Sequence, residues 1–164
     1  TFPLPEAQLD RFLLRLKIGY PDPEDESEII LRSQGSNGFM ELEPVVIPQE
    51  LAAAQDLIRK VNVEDSLREY IVRIVQATRS NPNLELGASP RAALGLFKSA
   101  QALSAIRGRT YVIPDDIKEL GPSILAHRII VSPQTRLRGR TSEDILEEIL
   151  ATIPIPLAAT PPVG

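Results

Sequence analysis

Cysteine and tryptophan are absent from this 164-residue sequence, and histidine occurs once, at His127. Without cysteine there is no disulfide framework, no thiolate zinc site and no thiol nucleophile. A single histidine leaves little room for a histidine-built metal centre or a catalytic triad. Aromatic residues make up only 4%, so the core has to be built from Leu, Ile, Val and Ala. That usage favours helices packed through aliphatic stripes over a sandwich of aromatic-rich strands. No apolar run approaches the ~20 residues that cross a bilayer, and no signal-peptide pattern is visible. A net charge of −4 speaks against nucleic acid as the main partner, because neutralising phosphates takes clustered Lys and Arg. A cytoplasmic compartment is the expectation.

What is present suits a soluble globular chain, with 43% hydrophobic and 24% charged residues in a length that holds one domain, or one domain and part of another. The opening Thr1-Phe-Pro-Leu-Pro-Glu-Ala-Gln-Leu-Asp-Arg-Phe12 has no initiator methionine, and Met40 is the only methionine. It reads as the last part of a larger domain. Leu13 to Ile18 ends in apolar–basic alternation, like a strand leaving a sheet. After Gly19, Asp22 is a good N-cap, Pro23 suits the first helical position, and Glu24, Asp25 and Glu26 suit the positive end of a helix running to about Gln34. This acidic cluster reads as a solvated helix start rather than a metal site.

Val45 to Ile47 suggests a short strand, and Pro48 starts a helix through about Lys60. Val61–Val63 and Tyr111–Ile113 read as extended pieces able to pair. From Glu64 onward, Leu67, Tyr70, Ile71, Ile74, Val75 and Thr78 recur at helical spacing. Pro82 and Gly87 mark a loop. Ser89 and Pro90 start the next helix, with a main stripe of Ala93, Leu96, Phe97, Ala100 and Leu103 and a second face of small residues, Ala92, Gly95, Ser99 and Ala102. Such a helix suits the centre of a bundle. Pro114-Asp115-Asp116 begins a helix predicted to break near Gly121-Pro122 and resume to about Arg128. Thr141 or Ser142 caps a terminal helix carrying Ile145, Leu146, Ile149 and Leu150. Pro154 to Gly164 is rich in Pro and Ala and is expected to be extended or disordered.

Two arginines stand out as candidates for chemistry. Arg91, in the first turn of a capped helix, sets a guanidinium beside free backbone N–H groups, a combination suited to phosphate. Alone, a first-turn arginine is more often solvated or paired with a local acid. Arg11 follows Asp10 ahead of the strand-like segment. It fits a structural Asp–Arg pair, and it fits equally a cationic finger offered to a phosphate on another molecule. His127-Arg128 fits a packing or capping pair better than an acid–base pair. Arg128, Arg136, Arg138 and Arg140 form a basic run that suits an acidic partner subunit or plain solvent exposure, with no aromatic platform for nucleic acid.

Pro3-Leu-Pro-Glu-Ala-Gln-Leu-Asp-Arg-Phe12 resembles the segment after sensor 1 in MoxR-family AAA+ ATPases, and Gly87-Ala-Ser-Pro-Arg-Ala92 resembles their sensor 2 motif. Ala77-Thr-Arg79, Gly108-Arg-Thr-Tyr-Val-Ile-Pro-Asp-Asp116 and Leu125-Ala-His-Arg-Ile129 agree in order and spacing, so the resemblance spans roughly Thr1 to Pro156. It implies that Arg11 is an arginine finger acting in trans on ATP held by the neighbouring subunit. It implies that Arg91 is the sensor 2 arginine, reaching the ATP of its own subunit, and that Asp10 helps hold the subunit interface and orient Arg11. Tyr20 to Pro23 would be the hinge between core and lid, with Tyr20 near the adenine or packed on the lid. The chain departs from the family in having no Gly-x-x-x-x-Gly-Lys-Ser/Thr loop and no hydrophobic strand ending in paired acids for magnesium.

The expected architecture is mainly α, a small helical bundle with two or three short β segments, preceded by the end of an α/β AAA+ core. The expected division is residues 1–20 as core remnant, 21–140 as helical lid, and 141–164 as terminal helix and Pro-rich tail. The resemblance implies ATP and Mg2+ as cofactors of the full-length protein, with chaperone-like remodelling or metal or cofactor insertion as its work. These 164 residues alone are expected to bind no cofactor and not to hydrolyse ATP. Implied partners are neighbouring subunits of a homo-oligomeric ring and a von Willebrand factor A domain protein, with no nucleic acid, no membrane insertion and no metal site. The alternative is a non-catalytic helical interaction module in which Arg11 and Arg91 make structural ion pairs.

Overall fold

A computed structural model describes residues 6–34 and 43–156. The chain order is α1 (Glu6–Leu9), α2 (Pro23–Gln34), α3 (Pro48–Ile58), α4 (Asp65–Ser80), β1 (Leu84–Leu86), α5 (Pro90–Ile106), α6 (Pro114–Leu125), a 3-10 turn (Ala126–Arg128), β2 (Ile130–Val131), α7 (Pro133–Leu137) and α8 (Ser142–Thr152). The expected mainly helical architecture with short strands is what is found.

The core lies where α4, α5, α6 and α8 meet. All six stripe residues of α4, from Leu67 to Thr78, are buried, as their spacing predicts. The α8 stripe of Ile145, Leu146, Ile149 and Leu150 is likewise buried. Thr141 caps that helix reciprocally: its Oγ1 accepts from the Asp144 N–H at 3.2 Å, and its own N–H donates to the Asp144 carboxylate at 2.8 Å. Two free donors are thereby satisfied where the chain enters the bundle. Asp22 caps α2 as expected, its Oδ1 accepting from the Asp25 N–H at 2.9 Å.

In α5 the buried face is the one with small residues. Ala92, Gly95, Leu96, Ser99 and Ala100 are buried, whereas Ala93, Phe97 and Leu103 are half-buried. The predicted main stripe is therefore rotated, because close neighbours on the small side cover more of the helix than the larger side chains do. One of those neighbours is α6, which runs unbroken through Pro122. Gly121 explains why: the place a Cβ would take lies 3.0 Å from Leu150 Cδ1. Seating α8 in that notch holds the helix through the proline.

The extended pieces behave unevenly. Asn62 and Tyr111 form the expected bridge, in parallel sense, and Gln101 of α5 donates to the Val61 carbonyl at 2.9 Å. The loop predicted around Pro82 instead contains β1, which pairs antiparallel with β2, Leu84 opposite Val131. No strand forms over Leu13–Ile18 or Val45–Ile47. A strand needs a partner edge for its N–H and C=O groups, and none of the described residues offers one to either segment. Residues 14–22 cross the surface as irregular chain, and α2 and α3 bury no described residue. The expectation for the Pro-rich tail falls largely on residues outside those described.

The Asp116 carboxylate is fully buried and takes two hydrogen bonds from Arg109, at 2.8 and 2.5 Å, and one from Arg107 at 3.2 Å. It also accepts from the Ile113 N–H at 3.0 Å, closing the start of α6. Burial would raise its pKa, but these donors, Arg109 foremost, hold it below the usual carboxylate range.

Candidate functional site

The first turn of α5 begins at Ser89, which occupies the cap position without capping: its hydroxyl makes no bond to the helix. It donates instead to Asp10, 3.1 Å from Oδ1 and 3.2 Å from Oδ2. The start of α5 is thus tied to a residue 79 positions earlier in the chain. Arg91, two residues on, lies 3.8 Å from the same carboxylate, with its side chain 61% exposed. The ion pair is loose, and the guanidinium is free to turn toward an incoming anion.

Gly87 makes this junction possible. A Cβ there would stand 2.5 Å from the Arg79 Cα and 2.6 Å from its backbone nitrogen. The chain therefore passes directly against α4, where the Arg79 Nε donates to the Ala88 carbonyl at 2.8 Å and the Thr78 hydroxyl accepts from the Ala88 N–H at 2.9 Å. Backbone contact on one side and the Asp10 carboxylate on the other set the position of Ser89 and Arg91.

Arg11 is exposed, and among the described residues it makes no ion pair. Its flanks are held firmly. Asp10 on one side meets Ser89, Arg91 and, at 3.8 Å, the Nε of Arg128. On the other side the Phe12 carbonyl accepts from Arg128 Nη2 at 2.6 Å and faces His127 Nε2 at 3.1 Å. Farther along, the Arg15 N–H donates to the Ser123 carbonyl at 2.9 Å. Glu143, in the first turn of α8, receives Arg15 at 2.7 Å and Lys17 at 3.1 Å.

Sequence reasoning placed Arg128 in an exposed basic run, but its side chain is only 1% exposed. The rest of the run stays at the surface: Arg136 and Arg138 are exposed, Arg136 donating to the Val131 carbonyl, and the half-buried Arg140 pairs with Glu148. Arg128 enters the interior because Gly95 of α5 leaves a slot, a Cβ there lying 3.2 Å from its Nη1. Burial lowers its pKa, opposed by Asp10 and aided by Arg91, yet a guanidinium stays charged at neutral pH. Burial likewise lowers the pKa of His127, favouring a neutral ring that donates from Nε2 to the Phe12 carbonyl. The expected packing role of His127 is compatible with this contact. Tyr20 is fully exposed and touches neither the lid nor the site.

Between the 9–15 segment and the 86–89 and 126–130 segments lies a cavity of about 550 Å³, with Asp10, Ser89, His127 and Arg128 in its wall. Chemically the site is a set of arginines sharing one carboxylate at the N-terminus of a 17-residue helix. Such an arrangement suits binding and sensing of an anion.

Residues 76–149 match the AAA lid domain family. The chain is 42% identical to the uncharacterized protein YeaC of Bacillus subtilis over 96% of its own length and 49% of that protein. It is 36% identical to the chaperone MoxR1 of Mycobacterium tuberculosis over 95% of its length and 43% of that protein. A crystal structure of a candidate ATPase from Cytophaga hutchinsonii superposes with a TM-score of 0.85 at 34% identity, covering 95% of this chain and 50% of that one. The chain spans about half the length of these relatives. Residues 76–149, which hold most of the helical bundle, are the part that matches the AAA lid domain, and over 95% of its length the chain is similar to about half of a MoxR-type AAA+ ATPase.

Proposed function

We propose that the chain serves, within a full-length ring-forming protein, as the nucleotide-responsive lid of an ATPase. Arg91 binds the phosphates of ATP held by its own subunit, as a sensor 2 arginine. Arg11 reaches the ATP of the neighbouring subunit as an arginine finger, and Asp10 orients it at the interface. The observation that carries this reading is the Asp10 carboxylate between Ser89 and Arg91, because it joins the Arg11 turn to the phosphate-suited end of α5. The two arginines are too exposed and too weakly paired for a structural role. That disfavours the alternative of a non-catalytic module built on ion pairs.

Arg91 acts by approach. An anionic phosphate near the α5 N-terminus competes with Asp10 for the guanidinium and gains the helix-end N–H groups as well. Arg11 acts by charge: it stabilises the negative charge that develops on the transferred phosphoryl oxygens, at a site its own subunit does not enclose. ATP and Mg2+ belong to the full-length assembly, with the phosphate loop and magnesium ligands supplied from outside these residues. Remodelling of a client, or insertion of a metal or cofactor into a von Willebrand factor A domain protein, is the proposed use of the resulting lid motion, in the cytoplasm.

The test is steady-state ATP hydrolysis by the full-length protein. Arg11→Ala is expected to lower kcat by at least about 100-fold, in keeping with arginine fingers elsewhere, while Arg91→Ala raises KM for ATP. Wild-type turnover by Arg11→Ala would remove the finger assignment.

A further inference from the structure

We propose that Arg128 is a positioning residue for the Arg11 turn, its buried guanidinium gripping the chain on both sides of Arg11. Its Nη2 lies 2.6 Å from the Phe12 carbonyl and 3.4 Å from that of Leu13, and its Nε lies 3.8 Å from the Asp10 carboxylate. The proposal rests on the reading of Arg11 as a finger.

A purely structural account of Arg128 is physically poor. Burying a guanidinium is costly, and an apolar side chain of similar volume would fill the same slot with equal or better stability. Neither Nε nor Nη1 finds a hydrogen-bond partner, so the side chain is not there to complete a core network. The bonds it does make go to main-chain carbonyls 115 and 116 residues away, on the segment that carries Arg11. Main-chain carbonyls immediately after Arg11 are the handles that set the direction in which its side chain leaves the turn.

The anchor of this grip lies at the centre of the lid. Arg128 leaves the 3-10 turn that ends α6 and lies against Gly95 of α5, the helix whose first turn carries Arg91. Arg128 thus ties the Arg11 turn to the helix that carries Arg91. The planar guanidinium matters here, since it holds Nη2 at both carbonyls while Nε faces the Asp10 carboxylate at 3.8 Å, two positions that a single lysine ammonium cannot occupy together.

The experiment is ATP hydrolysis by the full-length protein carrying Arg128→Lys, Arg11→Ala, or both. A misdirected finger lowers kcat on the order of 10- to 100-fold with KM for ATP unchanged. In the double variant, Arg128→Lys causes no loss beyond that of Arg11→Ala, because two residues acting through one group are not additive. A general lid defect would loosen Arg91 too, so a raised KM, or additive losses, would overturn the positioning role and leave the finger standing. Wild-type turnover by Arg128→Lys overturns it as well. Wild-type turnover by Arg11→Ala overturns the finger and the positioning role together. Should Arg128→Lys lose its cooperative melt, His127→Phe removes the second contact to the Phe12 carbonyl while leaving the guanidinium buried. It is expected to give the same pattern at smaller amplitude, and an unchanged kcat there counts against the proposal.

Discussion

Ser89 and Arg128 illustrate how a side chain's neighbours, rather than its type, decide its task. Ser89 sits where a helix cap is expected and Arg128 where a surface cation is expected, yet both are turned toward the segment around Arg11. Local sequence carries no trace of either contact, because the partners lie 79 and 116 residues away. Gly87 is different: its motif was visible, and its physical reason is the backbone of Arg79 only 2.5 Å from where a Cβ would sit. Main chain cannot yield as a flexible side chain would. Gly87→Ala is therefore expected to destabilise the protein by about 2 kcal/mol, in the range for overpacking, read as a lower urea midpoint at unchanged slope. A wild-type midpoint would show that α4 and the 87–89 segment separate at little cost.

Among the elements, helices with strong periodicity were legible; of the short pairings the Asn62–Tyr111 bridge was legible and β1–β2 was not. The α4 and α8 stripes are buried as their spacing predicts, because each packs one wide apolar face. The α5 stripe was misjudged by a rotation, since small residues are buried by proximity and not by hydrophobicity. Strand β1 is three residues long, too short for alternation to register, and it exists because β2 lies beside it. The start of α8 also takes on a duty that its sequence does not announce, receiving Arg15 and Lys17 on Glu143. The Ser142 hydroxyl first, and Lys17 after it, pull the Glu143 carboxyl down from 4.5 to about 2. A depressed carboxylate stabilises the fold fully above its unfolded value, and that contribution fades as pH falls from 4.5 toward about 2. Glu143→Gln is expected to flatten the acid limb of stability against pH in that window. Unfolding curves for the two proteins that stay parallel across it would show that this contact does not stabilise the fold.

Taken whole, the molecule has two tiers of order. The bundle of α4, α5, α6 and α8 owns the buried core, while α2 and α3 lie on the surface without a buried described residue. Ile29, Ile30 and Leu31 on α2 remain more than half exposed. Helices that bury no side chain open readily, whereas core helices open with the global unfolding event. Hydrogen exchange by mass spectrometry is expected to be at least about a hundredfold faster in α2 and α3 than in α4 and α5. Equal protection would mean that these helices are covered in solution.

The grip on the Phe12 and Leu13 carbonyls by Arg128 also imposes an order of events during synthesis. The segment bearing Arg11 emerges from the ribosome first, but its holder follows 115 residues later. At usual elongation rates that is a delay of about 10 s, during which this contact cannot form. Docking of the Arg11 turn onto Arg128 thus has to wait until the 3-10 turn after α6 has been made.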